Sequence, residues 1–480
     1  MSAKIELLSK TVLERVSPNA DERGKIEALA RKLERKVASV SGKLGVEAKV
    51  RVEGSVAKNT WLSGNPDVDV FMRVPTSIPR NSLGDVCLRV AQKATEGFEQ
   101  IERFAEHPYL EAIVEGTRVN IVPCYDTKRG EWLSATDRTP FHTEYMKKRL
   151  NIRMRGQVRL LKKFMKGIGV YGAEIKIGGF SGYLCELLIL HYKSFLDTVK
   201  AFAELKQRMV IDIEEFYSGN RSHEVDLLFD EPLVVVDPVD RARNVASAVR
   251  KERLYIFIAA AQAFMNGPDL NFFYPTAIVP LSARKIKQEL KKRGSATVFV
   301  TFGRVDAVSD ILWGQLYKSL RSLRKLVELN DFALLRDFAW SDEKSLNVFG
   351  FELETCCISS VKRHLGPPLE KGHECAKFLL KHQNNSGTVA GPYVEDGRWI
   401  VQVRRKFTDA CTLLGERLKD GGKDVGVAEQ ISRVIKKGFH VSVNEEILEV
   451  YERNGEFAKF LTDFLSGRPK WLETDQSQHD

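Results

Sequence analysis

Asp67 and Asp69 stand one residue apart in Asp67-Val68-Asp69-Val70-Phe71, and Gly54-Ser55 lies eleven residues upstream. Val68, Val70 and Met72 are apolar at every second position, so 67–74 reads as a strand with Asp67, Asp69 and Phe71 on the other face. Two carboxylates projecting side by side repel unless a cation neutralises them. Hard Mg²⁺ suits such a pair and leaves coordination positions for water and a triphosphate. Residues 46–52 alternate as another strand, after which Gly54-Ser55 lets the backbone turn sharply with amides and a hydroxyl free for phosphate. Lys58 adds a positive charge nearby. An Asp-x-Asp alone is common in solvated loops, and the Gly-Ser at this spacing is what points to nucleotidyl transfer.

Such residues need a rigid frame. Ile26, Leu29, Leu33, Val37 and Val40 recur at helical spacing after Asp21, predicting a long amphipathic helix before the first strand. Strands near 46–53, 67–74, 109–115 and 118–124, with a helix around 83–104, make a small covered sheet, the catalytic head over 1–143. Closely spaced apolar residues (Leu160, Leu161, Phe164, then Leu184, Leu187, Leu188, Leu190) predict a helical neck over 144–265. Strands at 277–279, 297–302 and 346–353 around a helix at 311–329 predict a mixed α/β body over 266–365. A helix at 369–382, a turn at 384–387 and a strand at 399–403 open a tail domain over 366–480, with frayed polar residues at 473–480. The fold class is therefore α+β multidomain.

The chain has 480 residues, 43% hydrophobic and 29% charged, with 74 basic against 64 acidic residues and a net charge of +10. That excess favours a polyanionic partner. Basic clusters run through Lys147-Lys148-Arg149, Arg153, Arg155, Arg159 and Lys162-Lys163, then 284–293, 321–325, 404–406 and Lys436-Lys437, and together they suit an RNA track. Tyr393, Arg398 and Trp399 add stacking surfaces and charge in the tail, although core packing suits Trp399 better. No run approaches the roughly 20 apolar residues of a membrane span, and the amino terminus lacks a signal peptide's apolar core, so a cytoplasmic location is expected. The seven cysteines lack the paired spacing of a structural zinc site and read as reduced, mostly core residues. Cys356 and Cys357, as strand neighbours, are expected to face opposite ways.

Gly54 to Leu62, Gly-Ser-Val-Ala-Lys-Asn-Thr-Trp-Leu, with Asp67-Val68-Asp69 resembles the signature of the polymerase-beta-like nucleotidyltransferase superfamily, and specifically archaeal class I CCA-adding enzymes. Similar segments recur in that family's order: His107-Pro108-Tyr109, 119–125, 137–142, 159–162, 171–174, 179–186, Asp237-Pro238-Val239-Asp240, 243–246, Phe273-Tyr274-Pro275 and Gly391-Pro392-Tyr393. The resemblance implies a polymerase-beta-like head and template-independent addition of C, C and A to the 3′ end of tRNA. The substrates would be CTP, ATP and the tRNA acceptor end, with pyrophosphate released, two Mg²⁺ ions, no membrane, and a homodimer as a compatible assembly.

By position the resemblance also distributes roles. Ser55 and Lys58 would contact triphosphate, Thr139 and His142 would lie near the nucleotide, Lys162 and Tyr171 would form the triphosphate pair, and Arg243 would select the base. Asp67 and Asp69 would hold metal with a third carboxylate on the neighbouring strand, where this chain has Asn120 in Arg118-Val119-Asn120-Ile121-Val122-Pro123. An amide oxygen can ligate Mg²⁺ but brings no charge, so turnover is expected to fall by about two to four orders of magnitude. Asp126 shares the strand parity of Asn120 but lies about 20 Å along an extended chain. Two alternatives stand beside this reading: a catalytically silent tRNA- and nucleotide-binding protein, and a related template-free poly(A) polymerase.

Overall fold

The computed structural model describes residues 2–473 apart from 65 and 105, which leaves almost all of the expected frayed end outside the described residues. The chain divides into two compact units, Met1–Thr276 with Arg468–Asp480, and Ala277–Gly467.

In the first unit, strands β1 (Lys49–Glu53), β2 (Asp67–Val74), β3 (Glu99–Phe104), β4 (Pro108–Val114) and β5 (Thr117–Tyr125) form one sheet in the order β1-β2-β5-β4-β3. β2 and β5 run parallel; the other pairings are antiparallel. Val68, Val70, Met72 and Val74 have no exposed surface and pack with Leu29, Leu33 and Val37 of helix Ala20–Lys43 and with Leu83, Cys87 and Val90 of helix Arg80–Ala94. Burying each large side chain contributes about 1.5–3 kcal/mol, which holds the opposite, polar face of β2 in a fixed position. Asn19 starts the long helix by accepting the Glu22 N–H.

The helix expected at 83–104 is corrected: it spans Arg80–Ala94, and residues 99–104 form edge strand β3. β3 buries almost nothing, so it lacks the apolar alternation that marks a strand.

The rest of this unit is mainly helical. Phe164 of helix Ile152–Gly167 stacks on or meets the edges of Phe195, Phe257, Phe264, Phe272 and Phe273, which fixes the helix against its neighbours. Helix Gly182–Tyr192 is apolar on all sides and buried from Leu184 to Leu190. A short parallel pair, β6 (Met209–Ile211) and β7 (Leu233–Val235), leads into the loop that carries Asp237 and Arg243.

The second unit is built on the antiparallel sheet β14-β8-β10-β9, from β8 (Ala296–Phe302), β9 (Leu334–Ser341), β10 (Asn347–Leu353) and β14 (Phe439–Val443). Helix Ser309–Leu329 packs its buried leucines against this sheet. A separate three-stranded sheet, β11-β13-β12, is formed by β11 (Val361–Pro368), β12 (Thr388–Glu395) and β13 (Arg398–Arg404), with helix Gly372–His382 against it. Residues 277–279 are not a strand: Val279 is 76% exposed, and Pro275 and Pro280 flank the stretch. Among the described residues no helix is long and apolar enough to cross a membrane.

Candidate active site

The parallel register of β2 and β5 sets Asp69 opposite Asn120 and Asp67 opposite Arg118. Asn120 Nδ2 donates to Asp69 Oδ1 at 2.9 Å, and Arg118 Nε donates to Asp67 Oδ1 at 2.7 Å. Gly54 is the first residue of a short helix, Gly54–Lys58, at φ +69°. A Cβ there would lie 2.2 Å from Asp69 Oδ2, so only glycine admits this approach and this backbone. The expected Gly-Ser turn is thus the entry to a helix, with Ser55 half-buried in its first turn.

Asp69 is half-buried, crowded by its neighbours in the protein. Loss of water raises its carboxyl first, the neighbouring Asp67 charge adds to this, and Asn120, Lys58 and Arg118 oppose it; the outcome is about 6. A half-buried carboxylate held so far up, beside a second carboxylate and an amide, has the repulsion and oxygen donors that a hard divalent cation satisfies. Asp67 and Asp69 fit such an ion, while Asn120 turns its amide nitrogen, a donor, toward Asp69. Asp126 does not join them, since its carboxylate pairs with Lys49 and Arg73, each at 2.6 Å.

Behind the carboxylates lies a buried charge network. Lys58 and Glu186 form an ion pair at 2.6 Å with side chains 7% and 1% exposed, and Glu186 also accepts from the Thr60 hydroxyl at 2.6 Å. Lys162 Nζ donates to the Thr60 carbonyl at 3.1 Å and lies 3.8 Å from Glu186. Burial would raise Glu186, but the two ammonium groups outweigh it and hold the carboxyl below its usual range. Burial lowers Lys162. Gly182 makes room here: a Cβ would meet the Tyr171 hydroxyl at 3.0 Å and Lys162 Cε at 3.4 Å.

A second polar cluster adjoins the first through Tyr183, whose ring lies 5.6 Å from Lys58 Nζ and stacks on His142 at 4.1 Å. His142 Nε2 and Arg243 each bond Asp237 Oδ2 at 2.8 Å, while the Tyr183 hydroxyl donates to Oδ1 at 3.2 Å. Asp237 is fully buried. Burial alone would raise it, but the His142 hydrogen bond and charge, the Arg243 charge and the Val239 N–H hold it down to about 2. Desolvation keeps His142 below its ordinary value, against the opposing pull of the Asp237 hydrogen bond and charge. Arg138 pairs with Asp240 at 2.7 Å, and Arg129 donates to the carbonyls of Pro238 and Val239, which anchors residues 129–142 on the same loop.

Of the residues singled out in the sequence, Asp67, Asp69, Asn120, Lys58, Lys162, Tyr171, His142 and Arg243 fall along this one connected set, with Ser55 beside Asp69. Thr139 is placed only by its position one turn before His142 in helix Thr139–Arg149. Glu186, Asp237 and Tyr183 carried no assigned role in the sequence reading. Glu186 had a signal: it is the one carboxylate in the apolar run Leu184–Leu190, and a buried charge requires a partner.

The basic track is corrected at several points. Arg159 and Lys162 are buried, Arg159 donating to the Trp61 and Asn59 carbonyls. Arg293 binds Glu352, and Arg405 binds Asp331. These cations tie the chain to itself. Trp399 is half-buried on the central strand of its sheet.

Three family models match in order: a nucleotidyltransferase domain over 30–148, the second domain of tRNA nucleotidyltransferase over 156–274, and the C-terminal domain of CCA-adding enzyme over 293–444. The CCA-adding enzyme of Methanosarcina barkeri is 37% identical over 450 residues, 93% of this chain and 96% of that protein. The CCA-adding enzyme of Methanoregula boonei is 33% identical over 482 residues, 100% of this chain and 99% of its own. That of Haloarcula marismortui is 33% identical and covers 93% of this chain and 96% of its own. Among solved structures, the Cid1 poly(U) polymerase overlays 55% of this chain and 95% of its own at 14% identity and a TM-score of 0.44. With relatives matched from end to end and family models following one another along it, this chain belongs to the archaeal CCA-adding enzyme family of tRNA nucleotidyltransferases.

Proposed function

We propose that this chain extends the 3′ end of tRNA by C, C and A without a nucleic-acid template, using CTP and ATP and releasing pyrophosphate. The observation that carries this reading is the near full-length similarity to CCA-adding enzymes, joined to a head that sets Asp67, Asp69 and Asn120 side by side. In this reading Asp67 and Asp69 hold Mg²⁺, which would activate the RNA hydroxyl and steady the leaving oxygens.

The chain's own residues do the rest. Gly54 brings the backbone and Ser55 close to Asp69, where the triphosphate would lie. Lys58 and Lys162 share Glu186, whose single carboxylate fixes both ammonium groups and balances one of their two charges, so a net positive potential faces that region. Arg243, oriented by Asp237, presents donors to the acceptor edge shared by cytosine and adenine; guanine and uracil place a donor at the corresponding ring nitrogen. His142 holds Asp237 and stacks on Tyr183, so the base-facing side is rigid before nucleotide arrives. Asn120 slows the chemistry, because its amide neither neutralises a cation nor accepts the hydroxyl proton.

The test is extension of a tRNA ending at the discriminator base, with Mg²⁺ and each labelled nucleotide supplied singly and together. Addition of C from CTP, followed by A once ATP is present, supports the reading. Addition from ATP alone, or tight tRNA binding with no extension over long incubation, overturns it.

A further inference from the structure

Cys356, Cys357 and Asp409 lie far from this chemistry in sequence and inside the second unit. The expectation that the two thiols face opposite ways is corrected, because 354–360 lies between β10 and β11 and is not a strand. Their sulfurs are 3.8 Å apart, and Cys357 Sγ lies 3.5 Å from Asp409 Oδ2. All three ligand atoms fall within 4.8 Å of one another.

Those spacings have a chemical meaning. Zn²⁺ bound by thiolates at about 2.3 Å and a carboxylate oxygen at about 2.0 Å, in a tetrahedron, sets sulfurs about 3.8 Å apart and sulfur about 3.5 Å from oxygen. The backbone that carries the groups is pinned. Cys357 and Asp409 form an isolated antiparallel bridge, Ile358 N–H donates to the Thr408 carbonyl at 2.8 Å, and Ala410 N–H donates to the Cys356 carbonyl at 2.9 Å. Asp409 Oδ1 is occupied in capping helix Ala410–Leu418 through Thr412, so Oδ2 is the oxygen turned to the thiols. Cys356 packs against the core while Cys357 is exposed, which gives an ion entry and a fourth position for water.

We infer that Cys356, Cys357 and Asp409 form a binding site for one thiophilic divalent cation of the Zn²⁺ class. Binding exchanges two thiol protons for two metal–sulfur bonds, with no change of oxidation state. The residues sit where the chain enters and leaves the segment 358–408, which contains β11, β12, β13 and helix Gly372–His382. A bound ion therefore ties together the two ends of that segment.

The probe is Cd²⁺ added to the reduced full-length protein under anaerobic conditions. The expected result is a sulfur-to-cadmium absorption band that saturates at one equivalent, releases two protons per ion and is displaced by Zn²⁺. Cys357→Ser, at an exposed position that leaves the fold intact, should abolish the saturating band, and Cys375→Ser should not affect it. Asp409→Asn keeps a good helix cap but removes the charge, and should weaken binding by about tenfold or more. Protection of 358–408 from hydrogen exchange should rise with the ion. A band absent at one equivalent, or one indifferent to Cys357→Ser, overturns the inference, as does conversion of the two thiols to a disulfide with no cadmium uptake by the reduced protein.

Discussion

Asn120 gives its side-chain amide hydrogen to Asp69 Oδ1 across 2.9 Å, so the residue proposed for the third metal position is a donor to the one proposed for the second. A carboxylate at 120 would reverse this, turning attraction into repulsion that a cation must relieve. Asn120→Asp should therefore bind Mg²⁺ more tightly and raise the rate of C addition by about two to four orders of magnitude, or about 3–5 kcal/mol in barrier. Single-turnover kinetics with CTP would decide this, and equal rates for the two proteins would refute it.

Asp69 titrates at about 6 instead of its ordinary 3.8. The folded protein takes up this proton more readily than the unfolded chain, so the stability linked to Asp69 is greatest below about pH 4 and falls as pH rises to about 6. With a chelator present, Asp69→Asn should gain melting temperature over wild type across that window and keep the gain above it. Mg²⁺ should stabilise wild type above about pH 6 and leave the variant unchanged. A variant less stable than wild type at pH 8 would contradict the assignment.

Gly54→Ala asks whether the approach to Asp69 matters. The added Cβ would stand 2.2 Å from Oδ2 on a left-handed backbone, so the helix start must shift. Misplacement by an ångström costs about a hundredfold in rate, and that loss is expected with an unchanged far-UV circular dichroism spectrum.

Glu186→Gln leaves Lys58 and Lys162 buried without their shared counter-charge. A loss of about 3–5 kcal/mol in urea unfolding is expected. The Lys58→Met/Glu186→Gln double variant should lose less than the two single losses added together, because one orphan charge is gone. Strict additivity would argue against the coupling.

Arg243→Ala should narrow the preference for CTP over UTP by about tenfold or more, with Asp237→Asn giving a smaller effect in the same direction because Arg243 stays but loses its anchor. Competition between labelled nucleotides measures this. Unaltered discrimination in Arg243→Ala would remove Arg243 from base selection.

The sequence by itself determined β2 and its two faces, since Val68, Val70 and Met72 alternate with Asp67 and Asp69 and alternation survives any tertiary context. It also determined the long first helix, the helix at Ser309–Leu329 and the family, whose motifs run through most of the chain. Edge strand β3 was hidden because an exposed strand buries no face and leaves no pattern. The non-strand at 277–279 was misread because apolar residues with no pairing partner look like a short buried run.

Only the tertiary structure decided the charges. That Arg159 and Lys162 point inward, that Glu186 joins two lysines far from it in sequence, and that Asp237 gathers His142, Tyr183 and Arg243 all depend on which elements meet. The same holds for Cys356, Cys357 and Asp409, where the crossing of two distant segments sets ligand spacing that no linear motif encodes. Periodicity records which face is apolar; the partner of a buried charge is chosen by packing, because desolvation makes an unpaired charge too costly wherever the fold closes over it.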